Sequence, residues 1–159
     1  MKAGADKISL NSAIVKDHNL ITESARQFGS QATVAAIDVK LIGEGYKVFV
    51  KGGREETDLM GMDWCKEVVD KGAGEILLTS MDRDGTKEGY DLNFLKLLTD
   101  NVSVPVIASG GAGKKEDFLD AFKDANVDAC LAASLFHFNI LPIKDLKNYL
   151  KDNNVVVRI

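Results

Sequence analysis

Apolar and polar positions along this chain follow two periods that take turns. Ala32–Val39 is a near-continuous apolar run, the pattern of a parallel strand covered on both faces. Leu20–Phe28 repeats at helical spacing instead, with Leu20, Ile21, Ser24, Ala25 and Phe28 near one face. Lys7–Leu10 ahead of it reads as a strand, and Gly43-Glu44-Gly45 marks a hairpin turn before Tyr46–Val50. Further on, helix Met62–Val69 carries Trp64/Val68 and Cys65/Val69 at i,i+4 spacing and leads into strand Glu75–Leu78. Helix Leu92–Leu98, strand Val104–Ala108, helix Lys115–Phe122, strand Val127–Ala132 and helix Ile143–Leu150 follow, with Pro142 suited to the first turn of the last helix. Five successive βα units predict an α/β fold on a parallel sheet.

Five units suit two architectures. Open doubly wound sheets commonly have five parallel strands, whereas a closed (β/α)8 barrel needs about 250 residues and this chain has 159. The repeated junctions favour the barrel. Lys2-Ala3-Gly4-Ala5-Asp6 reads as a helix tail turning into a strand, and Lys71-Gly72-Ala73-Gly74-Glu75 repeats it inside the chain. The expectation is a single partial (β/α)8 TIM-barrel domain over residues 1–159, with a helix cut away before Met1. An open flavodoxin-like parallel sheet is the alternative.

Two polar loops carry the chemistry. Leu78–Thr86 and Ser109-Gly110-Gly111-Ala112-Gly113 each follow a strand, at the carboxyl ends where α/β active sites collect. Glycines there admit a ligand close to the backbone, and successive N–H groups cradle phosphate. The pair points to a phosphorylated small molecule. A net charge of −4 argues against nucleic-acid or membrane-surface partners. There is no apolar run of about eighteen residues and no signal-peptide core. Cys65 and Cys130 stand far apart in apolar patterns, as buried free thiols of a cytoplasmic protein do. With no CxxC pair and with His18 and His137 the only histidines, neither a metal nor a cofactor is expected.

Gly4–Ser12, Ala36–Lys40, Gly72–Gly85, Ser109–Gly113 and Ala132–Phe138, in this order and spacing, resemble the cyclase subunit of imidazole glycerol phosphate synthase, from histidine biosynthesis. The resemblance runs from Lys2 to the end of the chain. It implies a (β/α)8 barrel of which strands four to eight, the carboxyl-terminal portion, are present and three amino-terminal βα units are missing. It implies a lyase that joins ammonia to a bis-phosphorylated formimino-ribulosyl aminoimidazole carboxamide ribonucleotide and releases imidazole glycerol phosphate. The ammonia comes from a glutaminase subunit docked at the amino-terminal face of the barrel. Such steps need proton transfers, which paired carboxylates can serve.

Site residues follow from the resemblance, beside plainer readings. Asp38, after a buried strand, is by itself a cap or turn residue; the resemblance places it on one of two catalytic aspartates. The other belongs to the absent first strand, so the chain alone is expected to be inactive. Asp84, a turn-former beside Gly85, reaches substrate in the family, as does Thr79. Ser80 reads as satisfying backbone groups, and Asp82 with Arg83 as a structural ion pair. One phosphate is implied at Gly85, Ser109, Gly110, Gly111, Ala133 and Ser134. A second falls at Asn11 and Ser12, which otherwise read as an N-cap signal. Lys7 and Glu75 match a charged gate for ammonia, and Asp6 a partner contact, where solvated loop charges are the plain reading. His137 and Trp64 read as packing residues, with His137 against the last helix. Thr57-Asp58 departs from the family's Thr-Gly in a loop. Two other functions stand beside the cyclase: a paralogue delivering ammonia to a different sugar, and a non-catalytic phosphate-binding module. Exposed strand edges would drive homo-oligomerisation in that last case.

Overall fold

The computed structural model describes residues 4–158. In chain order the elements are β1 (Ile8–Leu10), α1 (Ser12–Lys16), α2 (Asn19–Phe28), β2 (Thr33–Ile42), β3 (Gly45–Val50), β4 (Glu55–Met60) and α3 (Gly61–Asp70). They continue with β5 (Glu75–Ser80), α4 (Leu92–Thr99), β6 (Val106–Ser109), α5 (Lys115–Asp124), β7 (Ala129–Leu131), α6 (Ser134–His137) and α7 (Ile143–Asp152). The helix tail read at Lys2-Ala3 lies outside the described residues.

Parallel pairing runs β1–β2–β5–β6–β7. A doubly wound sheet reverses strand order at a switch point; here each parallel strand pairs with the parallel strand before it, which is barrel order. Coverage agrees. Ala35, Ile37, Val39, Ile76, Leu78, Val106 and Ala108 are buried on one face, with helix residues Trp64, Val68, Phe94, Leu98 and Phe118 in the same core. The alternate positions Ala36, Leu77 and Ile107 are only half-buried. The apolar run of β2, expected to be covered twice, is therefore covered once.

The ten residues of β2 exceed the reach of any one neighbour. β5 takes one edge from Val34 to Val39. The other edge is shared: β1 pairs with Thr33–Ala35 and β3 with Asp38–Ile42. The β3–β4 hairpin thus fills the edge that β1 leaves.

Three local readings change. β4 has a polar sequence with Glu55, Glu56 and Asp58 exposed, as suits a charged edge strand, so no apolar alternation announced it; Thr57 and Asp58 stand in this strand, not in a loop. β6 begins at Val106 because Pro105 lacks an N–H, although its carbonyl accepts from Ile76 N at 3.0 Å. His137 is exposed, its ring edge-on to Phe138 at 4.8 Å, and it is Phe136 that lies against Phe118, at 6.0 Å. Trp64 is buried as read, with the His18 ring tilted 56° against it at 4.6 Å.

One buried carboxylate ties the hairpin to the main sheet. Asp91 accepts from Tyr46 Oη at 2.9 and 3.1 Å, from Ser80 Oγ at 3.1 Å and from Phe94 N at 3.3 Å, the last capping α4. Ser80 therefore serves a side chain rather than the backbone. Burial and the Asp91 carboxylate push the Tyr46 hydroxyl up to about 12. Removing Asp91 would leave two hydroxyls and an N–H without an acceptor. Asp91→Ala is expected to cost about 2–4 kcal/mol and Tyr46→Phe about 1 kcal/mol, read from urea unfolding with the slope unchanged.

Candidate functional site

The register of the sheet builds the site. Asp38 stands opposite Thr79, and Thr79 opposite Ser109, so three predicted residues form one polar row at the carboxyl ends of β2, β5 and β6. Below it lies an apolar row of Ala36, Leu77 and Ile107. Glu75 stands at the amino-terminal end of β5, opposite Val34.

Asp38 sits where β2 passes from β1 to β3, and Asn11 Nδ2 donates to its Oδ2 at 3.2 Å. Burial raises the affinity of its carboxyl for a proton, Asn11 lowers it, and the charge of Asp84 raises it again; the net direction is upward. Raised proton affinity is the property of a group poised for acid–base work.

Beside this row lies a cavity of about 180 Å³. Its lining includes Asp84, Gly85, Ser109, Gly110, Gly111, Ala133 and Ser134, so every residue read for the first phosphate position is brought to one place. Gly85 has φ +79, and no atom lies within 4 Å of where its Cβ would be, which leaves its backbone open to the cavity. Gly111 has a different reason. A Cβ there would come within 2.2 Å of the Gly89 carbonyl oxygen, and Gly89 N donates to Gly111 O at 2.8 Å. The two loops are thus clasped backbone to backbone, so Gly111 has a structural role as well as a place at the cavity. Asp117 fixes the exit of the second loop, accepting from Gly113 N at 2.7 Å and Lys114 N at 3.0 Å.

Lys87 also lines the cavity and was not singled out from sequence; its signal was a cation two residues past Gly85 in the same turn. Asp82 and Arg83 do not pair with each other. Asp82 Oδ2 accepts from Leu41 N at 2.8 Å, fastening the β5 loop to β2, and Arg83 approaches Glu88 at 3.9 Å. The two neighbouring side chains of this turn are drawn to different partners, Asp82 to the backbone of β2 and Arg83 to Glu88.

Asn11 and Ser12 line no part of the cavity and stand beside Asp38. Asn11 makes no capping bond to α1 with its side chain; its amide is engaged with Asp38 and Ser12. At the other end of the strands Lys7 forms an ion pair with Glu75, whose side chain is only 14% exposed, and Asp6 is exposed. Four residues of strand put this pair about 13 Å from the Asp38 row. Among the described residues no group of three or more His, Cys, Asp or Glu side chains is placed to hold a metal, and no helix is long and apolar enough to cross a membrane.

Comparison with known proteins gives a consistent set of likenesses. A family described as "Histidine biosynthesis protein" matches residues 1–142. A Hydrogenobaculum sp. (strain Y04AAS1) protein named imidazole glycerol phosphate synthase subunit HisF is 57% identical over 160 residues, covering 100% of this chain and 64% of that protein. Proteins of the same name from Alkaliphilus metalliredigens (strain QYMF) and Metallosphaera sedula are 56% and 51% identical, covering 99% and 98% of this chain and 63% and 62% of themselves. The chain thus spans a little under two thirds of the length of these relatives.

The raised Asp38 carboxyl has a consequence for stability. Between its ordinary value of 3.8 and its raised value, the folded chain binds more protons than the unfolded chain. The unfolding free energy therefore falls as pH rises through that window. Asp38→Asn removes the penalty, so the variant is expected to melt above the parent at pH 7, with the gap narrowing as pH is lowered toward the ordinary carboxylate value. Thermal unfolding across that range checks it, and a gap independent of pH would refute it.

Proposed function

The chain belongs to the histidine biosynthesis protein family, and from that premise we propose that it carries the cyclase site of imidazole glycerol phosphate synthase. The observation that supports this reading is the adjacency of an acid–base row and an anion cavity. Asp38, Thr79 and Ser109 share one line across three strands, next to a cavity whose lining includes Gly85, Gly110, Gly111 and Ser134.

On this reading the cavity receives one phosphate of an elongated bis-phosphorylated substrate. The backbone at Gly85 and Gly111 and the first turn at Ala133-Ser134 face it, and Lys87 supplies positive charge. Asn11 and Ser12 receive the second phosphate at the other end. Thr79 and Asp84 orient the ribulosyl portion between them. Asp38 exchanges protons with the reacting carbon and nitrogen atoms during imine formation and ring closure, a task for which its raised proton affinity suits it.

The finer reading is that the chain corresponds to the carboxyl-terminal five βα units of the enzyme and that the aspartate cooperating with Asp38 comes from outside it. A lone member of such a pair works orders of magnitude more slowly. A glutaminase subunit then docks at the amino-terminal face near Asp6, and ammonia passes the Lys7–Glu75 pair. The half-buried face bearing Ala36, Leu77 and Ile107 and the strand edges at β1 and β7 favour pairing with a second polypeptide.

The test is ammonia-dependent turnover of the formimino-ribulosyl substrate by the purified chain, alone and with the amino-terminal portion of a full-length relative, beside Asp38→Asn. Turnover is expected to be negligible alone, restored by the added portion, and lowered by at least 100-fold in the variant. Restored turnover that Asp38→Asn leaves intact would overturn the assignment.

A further inference from the structure

Asn11 and Ser12 do more than stand near Asp38. Lys51 N donates to Ser12 Oγ at 2.8 Å, Ser12 Oγ donates to Asn11 Oδ1 at 3.2 Å, and Asn11 Nδ2 donates to Asp38 Oδ2 at 3.2 Å. Both ends of this chain of hydrogen bonds have a fixed sense. A backbone N–H can only donate, and an ionised carboxylate can only accept. The two groups between them have no freedom left: the hydroxyl must pass its proton toward Asn11, and the amide must turn its NH2 to the carboxylate. The hydroxyl that tolerates either sense in isolation is polarised here in one direction.

The far end of the chain lies in an unusual turn. Lys51, Gly52 and Gly53 all have left-handed backbones, with φ of 55°, 66° and 79°, immediately after β3. A lysine in that region is disfavoured by its Cβ, so the turn depends on what it bonds to. Arg54 N to Val50 O at 3.1 Å closes it internally, and Lys51 N to Ser12 anchors it externally. Phe49 of β3 also pairs with Asp38 across the sheet. The hairpin tip and the acid–base group are thus joined twice, through the sheet and through two side chains.

We propose that Ser12 and Asn11 form a positioning relay, by which the turn at residues 51–53 holds the Asp38 carboxylate in one orientation and favours its ionised form. The catalytic consequence rests on the reading of Asp38 given above; the relay itself does not. Among the described residues the charged group acting on Asp38 is Asp84, which opposes ionisation, and the uncharged groups beside it are Asn11, Thr79 and Phe49. Asn11 is therefore the donor that counters burial and Asp84 in part, and Ser12 keeps it from rotating away. A phosphate bound at Asn11 and Ser12 would compete for the same two groups and loosen the carboxylate as it arrived.

The experiment is a carboxyl-carbon NMR titration of Asp38 in the whole chain, without substrate. Ser12→Ala is expected to move the Asp38 midpoint upward, Asn11→Ala to move it further, and Ser12→Thr, which keeps the hydroxyl, to restore the parent value. Thermal unfolding of each variant separates a folding defect from the relay. An Asp38 midpoint unmoved in folded Ser12→Ala would overturn the proposal, as would a shift that Ser12→Thr reproduces. Because no turnover is read, this failure is distinct from failure of the cyclase assignment.

Discussion

Everything about the site depends on how the long strand β2 divides its outer edge. β1 satisfies the backbone at Thr33–Ala35, β3 at Asp38–Ile42, and the change of partner falls at Asp38, the residue proposed for the acid–base role. A single long neighbour would have enclosed Asp38 in continuous sheet. Two short neighbours leave room at their junction for Asn11, which follows β1, to reach the carboxylate. The hairpin that completes the edge is held by Asp91 through Tyr46 and Ser80, so a buried carboxylate outside the row fixes the strand that borders it.

The loops at the carboxyl ends are constrained by one another before any ligand arrives. The approach of Gly111 to Gly89 excludes any side chain at position 111, while Asp82 and Met81 fasten the β5 loop back to β2 through Leu41 N and Val39 O at 2.8 Å each. These loops are preorganised by backbone hydrogen bonds rather than by long side chains, which limits the conformational entropy that any ligand entering between them would cost. Lys87 is the exception, a flexible cation on a rigid rim.

The sequence announced what periodicity and glycine spacing encode, and missed what needs register. Parallel strands, their helices and the polar loops at Gly85 and Gly110 were legible because apolar runs end in polar loops at regular intervals, whereas Ser134 was joined to them only by the family resemblance. β4 was not, since an edge strand with Glu55, Glu56 and Asp58 outward has no apolar alternation. Asp91 was not singled out from sequence; its bond to Tyr46 spans 45 residues and no local pattern encodes it. Asn11 and Ser12 were legible as site residues, but their link to Asp38 and Lys51 depends on which strands share β2.

The open sheet face has a vertical order: the ion pair Lys7–Glu75 at one end, an apolar band of Ala36, Leu77 and Ile107 in the middle, and the Asp38–Thr79–Ser109 row at the other. An apolar band between two polar rims keeps their fields apart, since charges about 13 Å apart interact weakly beyond a Debye length in salt. Asp38 is therefore tuned locally, by burial, Asn11 and Asp84, and not by the lysine at the far rim. Half-burial without a cation beside it would favour a protonated, inert carboxyl. The Asn11 amide counters this in part without neutralising the charge. That compromise explains why an amide, and not a lysine or arginine, occupies the position next to it.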